Sequence, residues 1–188
     1  MKATKAILAA AVTLVAGSTL MVASHTDAAR AADANGDPVV LIETTKGPIK
    51  IKVFKKEAPI TSGNFLDLVG RHFYDGLTFH RYVQDFVIQG GDPTGTGNGN
   101  FTDPQTHKDR LIKLEKVPTL KHDAAGMVAM ARTQDPNSAS CQFYITLKAA
   151  PFLDEPPGYA VFGKVIEGLP NVLKLRQGDK MTKVRIEG

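Results

Sequence analysis

Between residues 39 and 187 the chain is a succession of short β-rich runs, each cut off by turn-forming residues. VVLIETTKGPIKIKVF (39–54) holds two such runs around Thr45-Lys46-Gly47-Pro48. In the second, Ile49, Ile51 and Val53 share one face, and Lys50, Lys52 and Phe54 share the other. That alternation predicts a hairpin whose lysine side faces solvent. LTFHRYV (77–83), FVIQGGD (86–92), GMVAMAR (126–132), CQFYITL (141–147), GYAVFGKVIEG (158–168) and MTKVRIE (181–187) are also strand-like. Two segments differ. Ile60, Phe65, Leu68, Val69 and Phe73 recur near helical spacing, with Thr61 or Ser62 as the expected cap and Gly70 near the end. LPNVLKLRQ (169–177) places Pro170 at a helix start and carries a stripe of Val172, Leu173 and Leu175. Many short strands with two helices predict a closed antiparallel barrel or a sandwich. There is no internal repeat and no linker long enough for a second domain.

The N-terminus belongs to a different problem. Lys2 and Lys5 precede a weakly apolar run over residues 6–16, small residues follow, and Ala29-Arg30-Ala31 fits an A-x-A cleavage pattern. This is the layout of a secretory signal peptide over residues 1–31. Gly17, Ser18 and Thr19 interrupt the apolar stretch, which falls short of a good span of about 20 residues, so no stable membrane insertion is expected after cleavage. Residues 32–38 then read as a short flexible lead, and 39–188 as one domain. The expected location is periplasmic or secreted. A single cysteine among 188 residues excludes an internal disulfide framework and a cysteine zinc ribbon. The net charge of +4 is mild and no basic tract stands out, so nucleic acid is not an expected partner.

Familiar catalytic kits are missing from the sequence. His72, His80, His107 and His122 are scattered with no HxxxH pair, so no metal is expected. A G-x-S-x-G nucleophile elbow is absent. Cys141 lies inside an apolar strand pattern, where a buried, inert thiol is the usual state. The loop GTGNGN lacks the Lys-Ser/Thr of a phosphate loop, and no helix pattern follows it. What stands out is FHRYVQDFVIQGGD (79–92). Strand alternation puts Phe79, Arg81 and Val83 on one face and His80 and Tyr82 on the other. Arg81 and Gln89 are thus interleaved with large apolar groups. An arginine salt-bridged at a barrel rim would account for Arg81 alone.

At these residues the sequence resembles the cyclophilins, peptidyl-prolyl cis-trans isomerases. FHRYVQDFVIQGGDPTGTG (79–97) is similar to their signature segment. AMARTQDPNSASCQFYIT (129–146) and PFLDEPPGYAVFGKVIEG (151–168) are similar to two further family blocks, in family order. The wording ARTQDPNSAS and the tyrosine of GYAVFG resemble the bacterial periplasmic branch. The resemblance implies a closed eight-stranded antiparallel β-barrel capped by two α-helices. It also implies Arg81 as the catalytic arginine, with His80 beside it and Gln89 as a polar wall. The proline pocket would be Phe86, Val87, Tyr144 and Leu153. A strand including Ala131, Arg132 and Thr133 would bind the substrate backbone, and Gln142 would line the groove. Phe152 replaces the tryptophan used in binding cyclosporin, so weak drug binding is implied. Tyr159 stands where a late groove histidine is found elsewhere. Residues 107–123 fit the family less well and suggest no function.

The implied reaction suits these residue types. Rotation about an Xaa-Pro bond crosses a barrier of about 18–20 kcal/mol and breaks no σ bond, so no nucleophile, metal or cofactor is required. As the amide twists, its nitrogen regains a lone pair, and a fixed guanidinium can donate to that nitrogen, or to the neighbouring carbonyl, more strongly than in the planar forms. Gln89 is expected to orient Arg81 or a substrate carbonyl rather than to move a proton. For His80 a structural and a direct role are both open, because alternation points it away from Arg81. The implied partners are proline-containing peptides and unfolded secreted proteins, met by a monomer that assists their folding. A binding module without turnover is the alternative, and the intact Arg81, Phe86, Gln89 and Tyr144 set argues against it.

Overall fold

The computed structural model describes residues 36–187, so the leader expected at 1–31 lies outside the described residues. The chain runs β1 (Val39–Thr44), β2 (Gly47–Val53), α1 (Pro59–Gly70), β3 (Arg81–Val83), β4 (Val87–Gly90), β5 (Met127–Met130), β6 (Phe143–Thr146), a 3₁₀ turn (Pro151–Asp154), β7 (Val161–Glu167), α2 (Leu169–Lys174) and β8 (Met181–Ile186). The hairpin forms as expected, with Ile42 opposite Ile49 and Val40 opposite Ile51. Its apolar face is buried, while Lys50 reaches Glu167 and Glu187 on the outside.

The strands form one antiparallel eight-stranded sheet in the order β3-β4-β6-β5-β7-β2-β1-β8. The closed barrel expected from the sequence is corrected here: the sheet is an open half-barrel with β3 and β8 as its edges. The reason is local. The strand expected over 77–83 is regular only across Arg81–Val83, too short to carry a ladder across to β8. Irregular main chain spans the gap instead, with the Phe79 amide donating to the Asp179 carbonyl and the Met181 amide to that of Leu77, each at 2.8 Å. The same irregularity overturns the expected facing of Phe79 and Arg81, since Phe79 is fully buried while Arg81 is exposed.

The half-barrel wraps an aromatic core. Phe65 from α1 lies 5.0 Å from Phe162 and 5.4 Å from Phe143, ring centre to ring centre, and Tyr74 lies 5.5 Å from Phe143. The Tyr74 hydroxyl donates to the Cys141 carbonyl at 2.9 Å, which satisfies its buried oxygen. Helix α1 packs on β7 and β8, and α2 on β2. Among the described residues no helix is long and apolar enough to cross a membrane.

Two expectations about chain ends also change. Neither Thr61 nor Ser62 caps α1, because the helix begins at Pro59 and buries both within its first turn. The otherwise unpaired first-turn amides of Ile60 and Thr61 instead donate to the Glu115 carboxylate at 3.1 and 2.7 Å. A negative group at a helix N-terminus is favourable both as an acceptor and against the helix dipole. Glu115 sits in the 107–123 stretch, for which the sequence suggested no role. In the expected flexible lead, Asp37 is buried and the Pro38 carbonyl accepts from the Val53 amide at 2.9 Å, so its last residues are fixed against β2.

Candidate active site

The outer face of the sheet carries a second, smaller apolar cluster built on Val87, Met127, Ala129, Tyr144 and Val161. Pairing sets what surrounds it. Arg81 lies opposite Gln89, and Gln89 opposite Tyr144, so period-two alternation brings all three to the outside while Tyr82, Ile88, Phe143 and Ile145 point inward. The result is an open pocket of about 260 Å³. Phe86, Val87, Tyr144 and Leu153 form its apolar lining, Arg81 and Gln89 stand on one rim, and Ala131, Arg132 and Tyr159 on the other. Nine of the thirteen residues expected from the sequence therefore converge on one cavity. An adjoining recess of about 210 Å³ takes in Thr133 and Gln142.

A directional hydrogen-bond chain runs along the rim. The Gln142 side-chain amide donates to the carbonyls of Gly97 and Gly99 at 3.0 and 2.9 Å, and its oxygen accepts from Gln89 at 2.9 Å. Gln89 is thereby left with its oxygen turned toward Arg81, whose guanidinium donates to it at 3.4 Å. The chain orients a cation without any titratable relay. Its anchor is the glycine loop, which is itself organised by buried Asp92. That carboxylate accepts from the Thr94 amide at 2.7 Å, from the Thr94 hydroxyl at 2.8 Å and from the Gly97 amide. Burial alone would raise Asp92, but these hydrogen bonds outweigh it and hold the carboxyl at about 2. Gly97 has φ +90°, a conformation that favours glycine and lets its amide turn toward Asp92.

The remaining expected residues fall into place less uniformly. Ala131, Arg132 and Thr133 are not part of a strand, because β5 ends at Met130. The ladder closes with the Ala131 amide donating to the Gln142 carbonyl at 2.9 Å, and beyond it the main chain runs past the rim of the pocket. Arg132 lies over the Tyr159 ring at 4.4 Å and donates to the Gly158 carbonyl, forming one side of the groove. Phe152 is 61% exposed and does not line the pocket; its ring lies 5.4 Å from that of Phe86 at the mouth. His80 is also outside the cavity. It sits beneath the glycine loop with both ring nitrogens buried and without a hydrogen-bond partner, and burial lowers its pKa while Asp92 opposes. That placement favours a packing role over contact with a substrate. Cys141 is buried, and burial pushes its thiol up to about 12, far from a reactive thiolate.

One residue was missed. His122 is fully buried behind the pocket, with Nδ1 2.7 Å from Asp154 and Nε2 2.8 Å from the Tyr144 hydroxyl. No periodicity marks it in TLKHDAAG, and the sequence shows only an isolated histidine. Among the described residues no group of three histidine, cysteine or carboxylate side chains is placed to hold a metal ion. An apolar pocket with a fixed guanidinium at its rim suits binding and charge stabilisation, and offers no nucleophile.

Comparison with known proteins agrees with this geometry. Residues 39–188 match the family model for cyclophilin type peptidyl-prolyl cis-trans isomerases. The chain is 41% identical over 138 residues to the peptidyl-prolyl cis-trans isomerase CYP18-2 of Arabidopsis thaliana, covering 73% of this chain and 80% of that protein. It is 42% identical over 135 residues to a peptidyl-prolyl cis-trans isomerase-like 1 of Rhizopus delemar, covering 72% and 77%. Among solved structures, a Cryptosporidium parvum cyclophilin-type isomerase crystallised in the presence of the dipeptide Ala-Pro superimposes with a TM-score of 0.70 at 31% identity, over 80% of this chain and 99% of that one.

Proposed function

The chain belongs to the cyclophilin-type peptidyl-prolyl cis-trans isomerases, and from that premise we propose that it catalyses Xaa-Pro rotation in the pocket bounded by Phe86, Val87, Tyr144 and Leu153. The observation that carries the assignment is the convergence of Arg81 and Gln89 on the rim of this apolar cavity. The proline ring enters the pocket while the preceding residues lie along the main chain at 131–133. As the amide twists, Arg81 donates to the pyramidalising prolyl nitrogen and stabilises the twisted form over both planar ones. Gln89, held through Gln142, keeps the guanidinium at that station. Arginine suits the task because it stays charged and offers a fixed fork of donors.

The decisive experiment is Arg81→Ala, assayed by cis-trans exchange of an Ala-Pro peptide. Losing one preorganised donor of this kind costs about 100- to 1000-fold in rate. Because Arg81 is exposed, thermal stability should change by no more than about 0.5 kcal/mol. Near wild-type exchange in a folded variant would refute the role given to Arg81.

The same reading extends to the setting. A cleavable leader at 1–31 and the ARTQDPNSAS wording support an exported isomerase of the bacterial periplasmic type, acting on newly secreted, unfolded polypeptides and assisting their folding. N-terminal sequencing of the mature protein should start just after Ala31; a protein that keeps its first residues would overturn export. Phe152 at the pocket mouth supports weak cyclosporin binding.

A further inference from the structure

A buried polar chain lies behind the pocket, and the rotation step as described makes no use of it. A carboxylate can only accept, so the 2.7 Å contact with Asp154 puts the His122 ring proton on Nδ1 and leaves Nε2 to accept from the Tyr144 hydroxyl at 2.8 Å. The other Asp154 oxygen accepts the His122 amide at 3.2 Å, and the Ala150 amide donates to the His122 carbonyl at 2.8 Å. Asp154 ends the 3₁₀ turn that carries Leu153. Three side chains therefore join the pocket floor, Tyr144 on β6, to the pocket wall, Leu153. Tyr144 is only 5% exposed. In a site this dry a hydroxyl without a partner is costly, so the chain holds the tyrosine ring as well as satisfying it.

We propose that His122 is a positioning residue for substrate binding: bonded to Asp154 on one side and Tyr144 on the other, it locks floor and wall in the proline-accepting arrangement, and its protonation reverses the bond to Tyr144 and turns the floor hydroxyl out of that arrangement. This rests on Tyr144 and Leu153 lining the proline pocket. Several ionisable groups face the imidazole. They are Asp154 from the turn, Tyr144 from β6, neighbouring Asp123, and Lys116, whose ammonium donates to the Asp154 carbonyl. Burial is the largest influence and lowers the His122 pKa, Asp154 and Asp123 oppose it, and Lys116 adds to the lowering. The ring is thus neutral at neutral pH. Burial also raises the Tyr144 hydroxyl, reinforced by Tyr159 and Asp154, with Arg132 opposing, so the phenol keeps its proton. When His122 is protonated, Nε2 changes from acceptor to donor, so its contact with Tyr144 persists only if the hydroxyl turns to accept and its own proton is directed away from the histidine. Because the folded pKa lies below the unfolded one, stability too is full above the ordinary histidine range and declines as pH falls below it.

The test is KM and kcat for an Ala-Pro peptide, by exchange spectroscopy, from about pH 8 to about pH 5, the span over which histidines titrate. In the unaltered protein KM should rise severalfold on acidification while kcat stays within about twofold. His122→Leu and Tyr144→Phe should each raise KM at about pH 8 by about fivefold, the order of one lost hydrogen bond, and each should abolish the acid rise. The double variant should be no worse than either single one, since both break the same link. A flat KM in the unaltered protein, or effects that multiply in the double variant, would overturn the proposal. Should His122→Leu not fold, Tyr144→Phe and nitrogen NMR of His122 carry the test: an Nε2-protonated tautomer at neutral pH is fatal to it. If Arg81→Ala and Phe86→Ala leave rate and KM untouched, the pocket assignment itself fails; if they impair turnover while the His122 set does not, only this proposal fails.

Discussion

Strands β4 and β6 serve two cores at once, and the two faces are held by different physics. Inward, Ile88, Phe143 and Ile145 join a large cluster in which apolar area and edge-to-face aromatic contact provide the cohesion. Outward, Val87, Gln89 and Tyr144 meet a small cluster threaded with directional bonds, from the glycine loop through Gln142 and Gln89 to Arg81, and from Asp154 through His122 to Tyr144. Inside, shape and volume suffice, and swaps of similar size are tolerated. Outside, the side chains of the two chains are bonded in sequence, and displacing one frees the next. The same four-residue strand therefore contributes stability from one side and orientation from the other.

Three variants would break or sharpen this contrast. Phe143→Ala removes an inward ring and should cost about 3–5 kcal/mol in denaturant unfolding, as aromatic truncations in cores do. Where the variant is still folded, its KM should remain close to the original. A loss below about 1 kcal/mol would mean the interior is not the main source of cohesion. Gln142→Ala acts on the outer face alone. Freeing Gln89 from its fixed orientation should slow Ala-Pro exchange about tenfold, the order of one broken hydrogen bond to a charged network. Unfolding should move little, and unchanged exchange would show that Arg81 is positioned without the chain. Asp92→Asn is read in acid rather than in turnover. With its carboxyl held at about 2 against an ordinary 3.8, Asp92 contributes stability that is present above the ordinary value and lost as pH falls through this window. The variant should lack that acid limb, and an identical acid titration would remove Asp92 as the anchor of the loop.

How much of this was legible follows from the same contrast. The inner face announces itself by alternation, as in Ile49, Ile51 and Val53, because burial on one side of a strand repeats every second residue. β5 and β6 hide that signal, since all four residues of each are buried, outward Tyr144 as well as inward Phe143. The outer cover comes from distant segments: Leu120 before β5, Leu153 in the 3₁₀ turn and Tyr159 before β7. The Arg81, Gln89 and Gln142 set could be read by resemblance, and the structure unites it. Glu115 and His122 could not be read at all. Each is a single polar residue in an irregular segment, and its role is defined by a partner far along the chain. The closed barrel failed for a related reason. Whether β8 meets β3 depends on where β3 loses regularity, and LTFHRYV carries no mark of that point.

By itself the sequence determined a mainly β domain with two helices and a hairpin over 39–54, because local periodicity survives in one dimension, and its ordered motifs supplied the pocket residues by resemblance. Only the tertiary structure decided that the sheet stays open, that a glutamate from a loop caps α1, and that a lone histidine ties the pocket floor to its wall. Those outcomes depend on which buried polar atoms find partners across the fold. Their partners are separated by 54 residues for Glu115 and Thr61 and by 22 for His122 and Tyr144, and no repeat in the chain encodes such pairings.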